Sequence, residues 1–184
     1  MKRIFMTLAL ACLTALAFAQ NNAILRPRIE IAQVEAEVAD TFETKLEVFY
    51  MDDETPRIYY LSLGNLGIGS DIIQIKFDPF HELFIPLGGT LEEAVEKLEE
   101  IKDYYKLPKR STIEITGCVG VACPDDSRET VTVTRRQMIT SKVLEFSLPS
   151  GTDGLVRATH ISRSDFNGLL TSLKIYRKLH PKEQ

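Results

Sequence analysis

The stretch TLEEAVEKLEEIKDYY, residues 90–105, decides the class of fold because it is the clearest helix in the 184-residue chain. Its apolar residues recur at helical spacing and form one stripe, which consists of Leu91, Ala94, Val95, Leu98, Ile101 and Tyr105. Thr90 and Glu93 have the spacing of a capping box, in which each side chain binds the backbone of the other residue. Leu107-Pro108 ends the pattern, because the residue before a proline is disfavoured in a helix.

A second amphipathic helix is predicted near the end of the chain. We expect Ser164 to be its N-cap and Asp165 to lie in its first turn, where an acidic side chain suits the helix dipole. Gly168 weakens this helix by about 1 kcal/mol relative to alanine. Its apolar stripe consists of Phe166, Leu169, Leu170, Leu173 and Tyr176.

Most of the remaining sequence alternates between apolar and polar residues, which is typical of strands. Residues 29–42 fit either a strand or a helix, and both interpretations stay open there. The acidic segment Asp52–Pro56 favours a turn that joins two strands as a hairpin. The glycine-rich segment Gly64–Ser70 lacks the Gly-Lys-Ser/Thr of a phosphate loop, so it is predicted to be a flexible turn between strands. The predicted strands are Lys45–Met51, Arg57–Leu63, Ile73–Phe77, Phe80–Leu87, Thr112–Gly117, Arg128–Arg136, Lys142–Leu148 and Leu155–Ser162.

Strands in runs, each run followed by a helix, indicate an α+β fold: an antiparallel sheet with the two amphipathic helices packed on one face. The order also suggests a tandem duplication of a strands-then-helix unit. A shift of 72 residues pairs Leu98 with Leu170 and Ile101 with Leu173. The alternative is that two amphipathic helices resemble each other simply because each buries one face.

The first residues of the chain have the pattern of a secretory signal peptide. Lys2 and Arg3 precede an apolar run, and Ala17-Phe18-Ala19 is a small-x-small cleavage motif. We expect cleavage between Ala19 and Gln20, which leaves residues 20–184 as one periplasmic or extracellular domain.

The charge of the mature chain argues against a nucleic-acid partner. The 22 Lys and Arg residues lose Lys2 and Arg3 on cleavage, which leaves 20 basic against 26 acidic residues and a formal net charge of −6. Nucleic-acid binders carry the opposite electrostatic footprint. The polar segment after the apolar run also predicts that no membrane span remains in the mature chain.

Two cysteines lie in the stretch GCVGVACPDD, residues 117–126. Cys12 is expected to leave with the signal peptide, so Cys118 and Cys123 are the cysteines of the mature chain. Export places them in an oxidising compartment, which predicts a disulfide between them. The histidines His81, His160 and His180 lack the spacing of a zinc site, so neither a metal nor another cofactor is expected.

The Cys-x4-Cys spacing resembles the short disulfide loop of periplasmic lysozyme inhibitors of the Ivy type. The resemblance covers six residues and implies a rigid loop that contacts another protein. The inhibitor loop is polar and carries a functional histidine, whereas Val119, Gly120, Val121 and Ala122 have no polar side chain.

Two hypotheses about function follow from the sequence. The first is a non-enzymatic exported binding protein, inhibitor-like, whose partner is another protein contacted through Val119–Ala122. The alternative is a secreted hydrolase whose dispersed site lies near His81 or His160; the sequence contains no Gly-x-Ser-x-Gly elbow to locate a nucleophile.

Overall fold

The computed structural model describes residues 27–39, 42–69, 74–125, 127–138, 140–149 and 156–181. The predicted signal peptide and its cleavage site lie outside these residues. Within them the chain is an α+β fold with eight strands and two α-helices. The strands are β1 (Arg28–Ala39), β2 (Phe42–Met51), β3 (Tyr59–Gly69), β4 (Gln74–Gly88), β5 (Thr112–Gly120), β6 (Arg128–Gln137), β7 (Lys142–Leu148) and β8 (Val156–Ser162). The helices are α1 (Leu91–Asp103), which continues as a 3-10 turn (Tyr104–Lys106), and α2 (Arg163–Leu179).

The strands form one antiparallel sheet in chain order, from β1 to β8. The predicted hairpin across the turn at 52–56 is confirmed, since Glu47 lies opposite Ser62 in β2 and β3. The second half of β3 also pairs with β8, where Gly67 lies opposite Ala158. Strands β3 to β8 are therefore linked in a closed series of pairings, and β2 and β1 continue the sheet beyond β3.

Three predictions about the first half of the sheet are settled by these pairings. Residues 29–42, left open between helix and strand, supply most of β1 and the start of β2. The expectation of a flexible turn at Gly64–Ser70 is wrong for Gly64–Gly69, which belongs to β3: Asn65–Gly69 pair with β4, and Gly67–Gly69 also pair with β8. The register to β4 is irregular between Ser62 and Asn65, around Gly64, whose φ of 70° is a conformation that glycine adopts at little cost. The two short strands predicted at 73–87 are one long strand, β4.

The main core is one apolar cluster that combines residues from one side of the strands with residues of both helices. Alternate strand residues such as Leu61 and Leu63 of β3 are fully buried there together with Leu98 of α1 and Leu169 of α2. A smaller apolar cluster lies on the opposite, outer face. It consists of Phe49, Met51, Tyr60, Phe84 and Cys118, with Ile58 and Cys123 packed against it.

The predicted capping box of α1 is confirmed. The Thr90 hydroxyl accepts a hydrogen bond from the Glu93 backbone N–H at 3.2 Å, and Glu93 Oε2 accepts one from the Thr90 backbone N–H at 3.2 Å. The N-cap predicted for α2 is wrong by two residues. Ser162 caps the helix by accepting from the Asp165 N–H at 3.2 Å, because the last strand leads into the helix without a loop.

The two helices are joined to each other by ion pairs. Lys174 of α2 pairs with Glu99 of α1, and Arg177 pairs with Glu92 at 2.7 Å. Buried residues of both helices belong to the same apolar cluster. The described elements run as four strands and a helix, twice over. A common position on one face of the sheet and an origin by duplication stay predictions.

Candidate functional site

The loop that joins β5 to β6 carries the predicted binding residues, but only two of them lie in the loop itself. Val119 and Gly120 are the last residues of β5, and Val119 lies opposite Leu83 of β4. The chain leaves the strand at Val121, whose side chain is 52% exposed. A Cβ at position 120 would overlap the carbonyl oxygen of Cys123, so the tight reversal requires glycine at this position.

No disulfide joins Cys118 and Cys123, both of which belong to the described residues, so the predicted bond is absent from this structure. Cys118 is buried in the outer cluster opposite Phe84, and Cys123 packs against the same cluster. A cysteine in such a position behaves as a small apolar side chain. Packing on the aromatic rings therefore holds both ends of the loop where a covalent bond was expected.

Arg28, at the start of β1, is the main polar anchor of this loop. Its Nη1 donates a hydrogen bond to the carbonyl oxygen of Ala122 at 2.9 Å. The same guanidinium forms ion pairs with Glu47, at 2.5 Å from Oε1, and with Glu82, at 3.2 Å from Oε2. Its central carbon lies 4.1 Å from the centre of the Phe49 ring, within cation–π distance. We call Arg28, Glu47, Glu82 and Phe49 the anchor cluster.

The two carboxylates of the anchor cluster are paired with cations, although Glu47 Oε1 and Arg28 Nε are buried without a hydrogen-bond partner. Glu47 is only 4% exposed and also accepts from Lys45 at 2.9 Å. Glu82 Oε2 accepts a hydrogen bond from the buried Ser62 hydroxyl at 2.9 Å. Because each buried charge has an opposite charge beside it, the cluster is a stable base beneath the loop and removing one member would leave a costly unpaired charge.

The rest of the loop is fixed by local contacts. Ala122 has a φ of 60°, a left-handed conformation that costs free energy for a residue with a Cβ. Asp125 Oδ1 accepts from both the backbone N–H and the hydroxyl of Ser127, at 2.7 and 2.6 Å. The loop therefore presents the exposed Val121 side chain from a backbone held on both sides.

The two histidines of the hydrolase hypothesis lie in different surroundings. His81 is exposed on β4. His160 on β8 lies opposite Glu145 of β7, and its Nε2 donates to Glu145 Oε2 at 2.8 Å. Within the described residues, no serine or threonine hydroxyl is bonded to the His160 ring, so the geometry adds no nucleophile to this pair.

Glu145 is the centre of a small ion network on the outer face. Arg136 Nη2 donates to its other oxygen at 2.7 Å. Burial alone would raise the pKa of Glu145, but the hydrogen bonds and charges of His160 and Arg136 outweigh that effect and lower the pKa to about 2. The network ties β6, β7 and β8 together across the sheet, which is a structural role.

Sequence reasoning missed Arg28, Glu47 and Glu82. Arg28 is a single basic residue that follows Pro27 at the start of an acidic strand, and this was the one available signal. Glu47 and Glu82 look like ordinary polar positions of alternating strands. Their role depends on a chain reversal that brings positions 28, 82 and 122 together.

Comparison with family models, with curated proteins and with solved structures found no match to this chain. Within the described residues, no group of three or more His, Cys, Asp or Glu side chains is placed to hold a metal ion. Neither described helix has the length and apolar character needed to cross a membrane.

Proposed function

We propose that the protein is exported and acts without catalysis, as a binding protein that contacts a partner protein through its β5–β6 loop. The observation that carries the proposal is the contrast between the tip and the base of this loop. Val121 is 52% exposed at the tip, while Arg28 holds the neighbouring Ala122 carbonyl from below.

An apolar side chain on a fixed backbone supports binding for an energetic reason. Association costs free energy wherever a flexible loop must be ordered, and a loop that is already ordered avoids most of that cost. The anchor cluster and the Asp125 turn order this loop in the unbound protein. A rigid apolar tip of this kind fits a small pocket on another protein better than it fits a soluble ion or sugar.

The test places a photo-crosslinking amino acid at Val121 in the producing cells. Met138, at the tip of the β6–β7 hairpin, is the matched control because it is also apolar and 55% exposed. We expect one saturable crosslinked protein from position 121 and none from position 138. The crosslinked protein is then purified and its affinity measured for the unlabelled chain and for Val121→Asp.

Val121→Asp should weaken that affinity at least tenfold, which corresponds to about 1.4 kcal/mol. Met138→Asp should leave the affinity unchanged. Equal crosslinking at both positions, or equal affinities of the two variants, would contradict the proposal. Thermal unfolding of each variant separates a loss of binding from a loss of fold.

A further inference from the structure

A buried guanidinium lies at the opposite end of the β5–β6 hairpin from the loop. Arg135, near the end of β6, faces the core side of the sheet and is only 7% exposed. Its Nη2 donates to the neutral side chain of Gln137 at 3.0 Å. Its Nε is buried and has no hydrogen-bond partner.

Arg135 also has no counter-charge in the part of the chain that the structure describes. In that part Arg28, Arg136 and Arg177 each form an ion pair with a carboxylate. Arg135 forms none there. Burying an unpaired charge is costly, and arginine keeps its charge at any pH that a folded protein survives. Such an arrangement is therefore expected where the counter-charge arrives with a ligand.

The turn before β5 is fixed to the backbone of Arg135. The Arg110 N–H donates to the carbonyl oxygen of Arg135 at 2.8 Å, and the Arg135 N–H donates to that of Ser111 at 2.9 Å. The Ser111 N–H closes the turn on Pro108 at 3.1 Å. Arg110 has a φ of 70°, which is strained for a residue with a Cβ. Arg110 is thus a second arginine at this end of the sheet, and its backbone conformation is unfavourable.

Two lysines add to the positive charge of the same end. Lys109 lies in the same turn, and Lys142 is the cross-strand partner of Gln137, on the face that Arg135 also occupies. Both are exposed, and no ion pair of the described chain includes either of them. Gln137 is held in place because its amide donates to the carbonyl oxygens of Met138 and Ser141, at 3.0 and 3.1 Å.

We propose that this end of the hairpin is a binding site for a phosphate group, with Arg135 as its central ligand and with Arg110 and Lys109 of the adjoining turn and Lys142 of β7 as further cations. Guanidinium groups bind phosphate and carboxylate oxygens through paired N–H donors. No ion pair of the described chain includes any of these four cations, and their combined charge favours a doubly charged phosphate over a singly charged carboxylate. This inference does not depend on the binding function proposed for the β5–β6 loop.

The test is a nuclear magnetic resonance titration of the purified protein with inorganic phosphate at constant ionic strength, which removes general screening effects. The backbone amides of Arg110, Ser111 and Arg135 should shift together and saturate. Glycerol 3-phosphate, run in parallel, distinguishes a phosphate ester from free phosphate. Acetate should bind at least tenfold more weakly, and equal binding of acetate would overturn the choice of phosphate.

Arg135→Gln should weaken phosphate binding at least tenfold. Arg136→Gln is the matched control, because it removes the same charge from the next residue, which pairs with Glu145 at 2.7 Å on the outer face. It should change the affinity by less than twofold.

Should Arg135→Gln fail to fold, the exposed Arg110→Gln is used, with an expected weakening of at least threefold. Equal losses of phosphate affinity in the variant and in Arg136→Gln would overturn the proposal. So would failure of the parent protein to saturate at about 10 mM phosphate, roughly ten times a Kd of 1 mM.

Discussion

Glu145 shows how a single residue on the outer face makes stability depend on pH. Its pKa in the folded protein is about 2, below the usual value of 4.5, so its ionised form is stabilised by folding. That contribution is complete above about pH 4.5 and is lost as the pH falls towards 2. A shift of this size corresponds to roughly 3 kcal/mol, since each pKa unit is worth about 1.4 kcal/mol.

We therefore expect Glu145→Gln to reduce the loss of unfolding free energy that the parent protein shows as the pH falls below about 4.5. Urea unfolding at pH 6 and pH 3 should show the parent protein losing roughly 2 kcal/mol more than the variant, because only about 1.5 of the 2.5 pKa units lie above pH 3. Glu114→Gln, an exposed change on the outer face of β5, should leave the difference unaltered. Parallel losses in parent and Glu145→Gln would show that the carboxylate is not stabilised by its neighbours.

At the residue scale the sequence identified the loop but not what holds it. Val121 and Ala122 were predicted as binding residues because they lie between two cysteines. Arg28 could not be assigned, because its contacts with Glu82 and Ala122 span 54 and 94 positions. Periodicity and spacing report only on neighbours in sequence, so a contact made by chain reversal leaves no local pattern.

At the scale of elements the strongest local signals were the most reliable. The α1 capping box was read from Thr90 and Glu93 alone, because both of its hydrogen bonds are local. The strand Lys142–Leu148 was predicted with its observed bounds. The turn predicted at Gly64–Ser70 was wrong for Asn65–Gly69, because glycines favour turns locally while the ladders to β4 and β8 hold Gly67 and Gly69 in the strand. Pairing partners supplied by distant strands overrode the local preference.

The capping box gives an element-scale prediction. Thr90→Ala removes the acceptor of the Glu93 N–H and should lower the free energy of unfolding by about 1 kcal/mol. Thr90→Ser keeps the hydroxyl and should cost no more than a few tenths of that amount. Chemical denaturation of the three proteins measures both values. A serine variant as unstable as the alanine variant would assign the effect to the lost methyl group instead.

For the whole molecule, the central prediction is export. We expect intact-mass measurement of the chain recovered outside the cytoplasm to show a first residue of Gln20, because Ala17-Phe18-Ala19 is a cleavage motif. Deletion of residues 4–16 removes most of the apolar run and should keep the protein inside the cell. A chain that begins at Cys12 and carries acyl groups would contradict the prediction and place the protein on a membrane.

The tie between Arg28 and Ala122 also sets an order of events during synthesis. A ribosome makes β1 long before it makes the loop, so the contact across 94 positions cannot exist until about two thirds of the chain has been translated. Contacts of this separation also pay the largest loop-closure entropy. The strand that is synthesised first is thus the one whose contacts are completed late: Arg28 can pair with Glu47 and Glu82 earlier, but its contact with the loop waits until residue 122 has been made.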